Sequence, residues 1–331
     1  MKKILAMGNA LVDIMTQLPD DNLLHELGLP KGSMQLVDFK QSEQIQTVTA
    51  SLKRSLVTGG SAANTIRSLA QLGASCGYLG KVSDDEPGRF FKNEMLGLGI
   101  DCNLLQSNTP TGLAVALVSP DSERTFATYL GAAAEMTHNE ITREVFSKYN
   151  YLHIEGYLAF NHELIEKALE MASDCGLTVS MDMASYNVVE FNRDFLLDMI
   201  KKHVDIVFAN EEEARALTWK LPADAVHEIA EMCHIAVVKT GAEGSLIKSG
   251  TQLEKLGARK THAVDTTGAG DNYASGFLYG HSLGWSLKQC AQLGTIMASK
   301  VIEITGTTMD ANTWNWIQFQ RELIKENTFR L

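Results

Sequence analysis

The sequence predicts an α/β protein in which a mostly parallel sheet is covered by helices on both faces. Two observations carry this. Apolar runs of strand length alternate along the chain with segments of helical period, a rhythm that builds crossover units. The chain also has 331 residues, 45% hydrophobic and 21% charged, a globular composition with room for about two domains or one large α/β unit and no need of a disulfide or metal staple.

Taken in order, Lys3 to Met7 reads as a first buried strand. Leu11 to Lys40 then breaks the rhythm with short β-like pieces, turns and polar residues. Ser61 to Leu72 follows a Gly59-Gly60 turn and places Ala62, Ile66, Leu69, Ala70 and Leu72 at helical spacing. Pro110 to Leu130 breaks the rhythm again: Gly112 to Val118, a Pro120-Asp121-Ser122-Glu123 turn and Arg124 to Leu130 form a hairpin. Strand-like runs at Tyr151 to Ile154, Thr178 to Met181, Ile206 to Phe208 and Ala236 to Lys239 alternate with helical patterns such as His162 to Ser173 and Asp194 to Lys201.

Lys and Arg number 29 against 40 Asp and Glu, a net charge of −11 with no basic run, which argues against nucleic acid as a partner. An anionic ligand must then be met by local backbone donors, helix N-termini or a metal. Cys76, Cys102, Cys175, Cys233 and Cys290 are widely separated and never spaced as C-x-x-C, as expected of reduced thiols in the cytoplasm. Lys2 and Lys3 precede the apolar Ile4 to Met7 in the manner of a signal peptide, but Gly8, Asn9 and Asp13 interrupt it and no A-x-A site follows. No run approaches the ~20 apolar residues of a membrane span.

The most informative stretch is Val264 to Asp271, in which glycines lead straight into a helix with Tyr273, Phe277 and Leu278 at helical spacing. The amides of Gly268, Ala269, Gly270 and Asp271, with the positive helix end, would form an anion hole. Those amides would also favour the ionised form of Asp271, a candidate base; a simple cap of the helix is the other reading. Other chemistries find no support. There is no G-x-x-x-x-G-K-[ST], no G-x-G-x-x-G after the first strand, no H-E-x-x-H and no zinc-ligand cluster. Gly73 to Gly77 matches G-x-S-x-G but follows a helix and enters a strand, the reverse of a nucleophile elbow.

Asp265 to Asp271 resembles D-T-x-G-A-G-D, the second signature of the PfkB, or ribokinase-like, family of carbohydrate and nucleoside kinases. Gly8-Asn9 with Asp13, Gly59 to Asn64, Asn210 to Glu213 and Lys239 to Gly244 occur in that family's order, so the resemblance spans essentially the whole chain. Pro30 to Met34, Gly59 to Asn64, and Arg124-Thr125-Phe126 through Leu130-Gly131-Ala132 are most similar to its adenosine-kinase-like branch. The resemblance implies a ribokinase-like fold: a large nucleotide-binding and catalytic domain over 1–10, 41–109 and 131–331, and a small β lid over 11–40 and 110–130. It also implies ATP-dependent transfer of a phosphoryl group to a primary hydroxyl of a nucleoside or sugar, with an adenosine-like substrate favoured. The alternatives are a kinase of a free sugar or sugar acid, such as ribose, fructose or 2-keto-3-deoxygluconate, and a non-catalytic sensor that keeps the fold.

Residue by residue, the resemblance makes Asp271 the base, with the Gly268, Ala269 and Gly270 amides on the transferring group. Asp13, expected at the end of the first strand, accepts from two sugar hydroxyls or else caps a loop. Gly59 and Gly60 admit close approach of a sugar to the backbone, and Asn64 supplies an amide or else lies on a helix surface. Thr240 and Gly241, with Thr266, meet the triphosphate, Gly244 permits the turn back into a strand, and Lys239 faces structure or solvent. Asn210 to Glu213 is the N-x-x-E motif that organises magnesium through water; Asn210 as N-cap with Glu213 in a capping box fits the same residues. The family also admits a monovalent cation, potassium, near Asp265 and Thr267. Phe39 and Phe126 are candidates for an apolar surface against a base, or for core packing, and a homodimer stays open.

Overall fold

The computed structural model describes residues 2–121 and 123–329. Ser122 of the expected turn and the terminal Met1, Arg330 and Leu331 lie outside the described residues. The strands are β1 (Ile4–Met7), β2 (Leu11–Gln17), β3 (Met34–Leu36), β4 (Arg54–Gly59), β5 (Cys76–Ser83), β6 (Asp101–Ser107), β7 (Gly112–Val118) and β8 (Arg124–Tyr129). They continue with β9 (Tyr151–Glu155), β10 (Thr178–Asp182), β11 (Ile206–Asn210), β12 (Ile235–Lys239), β13 (Ser245–Ser249) and β14 (Gln252–Leu256).

Nine of these form one sheet in the order β14-β13-β12-β11-β10-β9-β1-β5-β6, parallel from β12 to β6 and antiparallel at the β13 and β14 edge. Strand side chains alternate between faces, and β1 shows what that does. Ile4 and Ala6 join one core with Ile66, Leu69, Phe208 and Phe277, whereas Leu5 and Met7 join the opposite core with Leu152, Ile154, Leu169 and Val207. Both faces are dry, so the strands read as apolar runs rather than alternating ones. The ribokinase-like α/β architecture expected from the sequence is the one observed.

A second sheet has the order β3-β8-β7-β2-β4. β7 and β8 form the expected antiparallel hairpin. A small core of Ile14, Leu24, Ile45, Val115, Leu117 and Ala127 lies beneath this sheet, with Ile45 supplied by helix Phe39–Val48. Two expectations are corrected here. Arg54–Gly59, placed by the sequence reading in the large domain, pairs antiparallel with β2 as the edge strand of the small sheet. Asp13 stands not at the end of the first strand but within β2, because Gly8, Asn9 and Ala10 carry the chain from one sheet directly into the other.

Helix Ala269–Ser282 carries the glycine turn at its N-terminus and crosses helix Leu287–Val301 backbone to backbone. A Cβ added at Gly276 would lie 2.7 Å from the backbone of Leu293 and Gly294, so only glycine permits that approach. The crossing, with the packing of helix Ser61–Gln71 on the other side, fixes where the turn points.

Candidate active site

Four neighbouring strands of the large sheet end in a polar residue: Glu155 on β9, Asp182 on β10, Asn210 on β11 and Lys239 on β12. Parallel strands present ligands at their carboxyl ends, and all four residues line one cleft of about 1580 Å³. The small sheet closes its other side with Leu11, Asp13, Met34, Leu36, Ala114 and Phe126. The sequence reading stopped three of these strands one or two residues early, at Ile154, Met181 and Phe208. It thereby missed Glu155 and Asp182, whose signal was a carboxylate closing an apolar run.

At the centre of the cleft Gly268 takes φ +73°, a left-handed conformation that turns the chain into helix Ala269–Ser282. The amides of Gly268, Gly270 and Asp271 have no backbone acceptor among the described residues, as an anion hole requires. Ala269 departs from the expectation, because its N–H closes the turn on the Thr266 carbonyl oxygen at 3.2 Å.

The Asp271 carboxylate accepts hydrogen bonds from Ser61 Oγ at 2.6 Å and Asn64 Nδ2 at 3.0 Å. Asn64 Oδ1 in turn accepts from Thr307 Oγ1 at 3.2 Å, so the Asn64 amide orients the carboxylate. Burial pushes the Asp271 carboxyl up to about 6, against the hydrogen bonds of Ser61 and Asn64 and the ammonium of Lys239; Asp182 adds to the rise. The net shift is opposite to that expected from the helix amides alone. The group is still ionised at neutral pH and is a stronger base for the shift.

Asp13 faces the cleft from β2, and burial raises its carboxyl to about 7 although Arg124 and Arg67 both pull it down. Gly59 serves Asp13 rather than a sugar: a Cβ there would stand 1.9 Å from Asp13 Oδ1. Gly60, at φ +96°, lines the cleft where the chain passes the Asn9 carbonyl oxygen, 2.2 Å from the site of a Cβ. Glu155 ties these pieces together. Its buried carboxylate accepts from the Asn9 amide at 2.9 Å, Asn9 Nδ2 at 2.7 Å and the Ala62 amide at 2.9 Å, joining the end of β1 to the start of the Ser61 helix.

In the other half of the cleft, Asn210 and Glu213 form a reciprocal capping box. The Asn210 amide and Nδ2 each donate to a Glu213 oxygen at 2.7 Å, and the Glu213 amide donates to Asn210 Oδ1 at 2.8 Å. Both residues line the cleft, and burial raises the Glu213 carboxyl to about 7. Gly241 at φ +51° and Gly244 at φ +105° shape the following turn and also line the cleft. Thr240 does not. It is buried, and its amide closes the turn on the Gly244 carbonyl oxygen at 2.8 Å, while Lys239 takes the cleft side instead. Adjacent residues at a strand end point to opposite sides, so only one of the pair can face a ligand.

Thr266 and Thr267 line the cleft, but Asp265 is already engaged. Its carboxylate accepts from the Thr267 amide at 3.0 Å and the Gly306 amide at 2.8 Å, and it pairs with Arg124 of the small sheet at 2.5 Å. A guanidinium thus occupies the carboxylate suggested for a monovalent cation, and that donor set does not fit one. For magnesium the fit is different. No group of three His, Cys, Asp or Glu side chains converges on one point among the described residues. The carboxylates of Asp182 and Glu213 on the cleft wall suit an ion that keeps its waters and takes its remaining ligands from phosphate oxygens.

On the small sheet Ala114 and Leu36 share the register row of Asp13, and Met34, Phe126, Leu130 and Phe160 add apolar wall to the same cleft. Met34 and Leu36 are 47% and 61% exposed, an apolar surface open to the cleft. Phe126, one of the two candidates for an apolar surface, lines the cleft. Phe39 packs edge-on against Tyr129 at 5.5 Å and does not line the cleft.

Comparison with known proteins agrees with this geometry. The family described as pfkB family carbohydrate kinase matches residues 32–314. A solved adenosine kinase from Sinorhizobium meliloti is 33% identical with a TM-score of 0.86, covering 96% of this chain and 99% of that one. A nucleoside kinase of Methanothermobacter thermautotrophicus is 28% identical across 82% of this chain and 87% of its own length. A 5-dehydro-2-deoxygluconokinase of Listeria monocytogenes is 27% identical across 80% of this chain and 87% of its own.

Proposed function

The chain belongs to the pfkB family of carbohydrate kinases and is an ATP-dependent kinase acting on a hydroxyl group, and we propose that its acceptor is the primary hydroxyl of a nucleoside, adenosine or a close relative. One observation carries the choice of acceptor. Exposed Met34, Leu36 and Phe160 and half-buried Phe126 form an apolar wall of the cleft that Asp13 also lines. A nucleoside bound through its diol to Asp13 would bury its base there; a free sugar would leave that wall wet. The similar chains named adenosine kinase and nucleoside kinase support the same reading.

In this reading Asp271 accepts the proton of the primary hydroxyl as that oxygen attacks the γ-phosphorus in line. The new oxygen–phosphorus bond forms, the bond to the β-phosphate oxygen breaks, and its electron pair leaves with ADP. The Gly268 and Gly270 amides meet the charge on the transferring group's oxygens, and Ser61 and Asn64 keep the Asp271 carboxylate aimed at the hydroxyl. Magnesium, when bound, would neutralise phosphate charge, with Asp182 and Glu213 holding its waters. The site thus combines a base, an oriented acceptor and local positive potential in a chain of net charge −11.

Measured kcat/KM for adenosine, inosine, ribose, fructose and 2-keto-3-deoxygluconate with ATP tests the choice of acceptor. A nucleoside is expected to exceed every free sugar by about tenfold or more, the value of burying a small part of a base. A free sugar ahead by the same margin overturns the nucleoside reading and leaves the kinase chemistry standing.

A further inference from the structure

We propose that Lys239 is a further catalytic residue: its ammonium, held by Asp182 at the mouth of the Gly268 to Asp271 turn, binds the γ-phosphoryl group of ATP and stays on it through the transfer. The side chain leaves the end of β12, passes over the neighbouring β11 and donates to Asp182 Oδ2 on β10 at 2.9 Å. Asp182 is itself fixed, because its Oδ1 accepts from the Ala184 amide at 2.9 Å. That contact is made by an alanine in a left-handed conformation, φ +66°, a strained backbone held in place by its surroundings.

The ammonium reaches the catalytic turn. A Cβ added at Gly270 would stand 2.9 Å from Lys239 Nζ, so the glycine at that position leaves the space the ammonium needs. An ammonium has three donors, and Asp182 takes one. The other two have no acceptor among the described residues, although the Lys239 side chain is only 14% exposed. Nearly buried donors without a protein acceptor, at the edge of a turn built to bind anions, call for an anionic ligand there.

Charge leads to the same place. Burial works against the Lys239 ammonium, but Asp182, Glu213 and Asp271 outweigh it and raise its pKa above the ordinary lysine value, so it stays charged. Of the other cations lining the cleft, Arg259 is shared between Glu303 and the Trp316 ring, and Lys260 follows it on the same exposed loop. Arg124 also reaches this turn but is paired there with Asp265; among the described residues that line the cleft, Lys239 is the cation beside the turn. As Asp271 takes the acceptor proton and ADP departs with the electron pair, Lys239 exchanges no proton; it offsets the negative charge on the oxygens in flight.

This inference rests on Asp271 as the base of an ATP-dependent transfer and holds for a nucleoside or a sugar acceptor. Lys239→Met, which keeps an apolar stem, is expected to lower kcat by at least about 10²-fold while the acceptor KM and the Kd for ADP stay within about threefold. A second readout is one that a purely structural role does not move. The charged and titratable groups facing Asp271 are Lys239 on β12, Asp182 on β10, Glu155 on β9, Asp13 on β2 and Tyr157 after β9, while Ser61 and Asn64 are neutral. Removing the ammonium should therefore move the Asp271 limb of kcat/KM to higher pH, and Asp182→Asn should move it to lower pH. If Lys239→Met does not fold, Lys239→Gln is measured in its place. A folded variant with kcat within about threefold of wild type, or with ADP binding lost together with kcat, overturns the assignment. Wild-type enzyme that moves no phosphoryl group to any alcohol overturns the Asp271 reading instead.

Discussion

Asp271→Asn is expected to lower kcat by at least about 10²-fold, the lower range for loss of a general base, with ATP affinity and thermal stability close to wild type. The substitution keeps the shape of the side chain. It leaves the Ser61 hydroxyl an acceptor at 2.6 Å, removes the basic carboxylate, and sets an amide NH2 where Asn64 Nδ2 had an acceptor, so the Asn64 amide must turn to accept from it. The pH profile gives the same test independently. The working form of Asp271 is the carboxylate, and burial has raised its pKa to about 6. Its contribution should therefore be full above that value and fall as pH drops through it. In kcat/KM the ionisation of Asp13, raised to about 7, should precede that of Asp271 near pH 6 as pH falls, and only the Asp271 limb should be missing from the residual activity of Asp271→Asn. A variant within about threefold of wild type removes Asp271 from the mechanism.

Asp13→Ala carries the next largest expected effect. Loss of a buried charged acceptor costs about 1.5–3 kcal/mol, or roughly 10- to 150-fold in kcat/KM. Here the carboxylate faces Arg124 and Arg67, which keep Asp265 and Glu94 as counter-charges when it is removed, so the loss should fall on acceptor binding. The loss should fall on every acceptor that presents a diol and leave ADP binding unchanged. Gly59→Ala should reproduce part of it with the carboxylate intact, because its methyl would sit 1.9 Å from Asp13 Oδ1 and push the group off its position. Full activity in both variants would place the acceptor elsewhere in the cleft.

The large sheet was readable because its strands are buried on both faces and its helices carry their own periodicity, both local properties. The catalytic turn was readable for the same reason: glycines, a helix start and an aspartate fall within seven residues. What escaped the sequence depends on partners far along the chain or on strand parity. Arg54–Gly59 lies next in sequence to the Ser61 helix of the large domain but pairs with β2 of the small sheet, and its own residues do not specify that pairing. Lys239 and Thr240 exchanged roles because a shift of one residue reverses which side chain faces the cleft. The Arg124 and Asp265 pair joins a small-sheet strand to the catalytic turn, a contact that exists only after the two sheets meet. Glu155 is a single carboxylate ending an apolar strand, and its three amide partners come from Asn9, past the end of β1, and from the Ser61 helix.

The central claim is that this cleft moves a phosphoryl group from ATP to the primary hydroxyl of a nucleoside, and identification of the product tests it most directly. Wild-type protein is incubated with ATP, magnesium and adenosine, and the phosphorus-containing products are assigned by phosphorus NMR and mass spectrometry. The expected result is one ADP and one nucleoside monophosphate for each ATP consumed, with the phosphate on the primary hydroxyl and negligible inorganic phosphate. ATP broken down to ADP and inorganic phosphate with the nucleoside unchanged, or a phosphate on a secondary hydroxyl, would contradict the account.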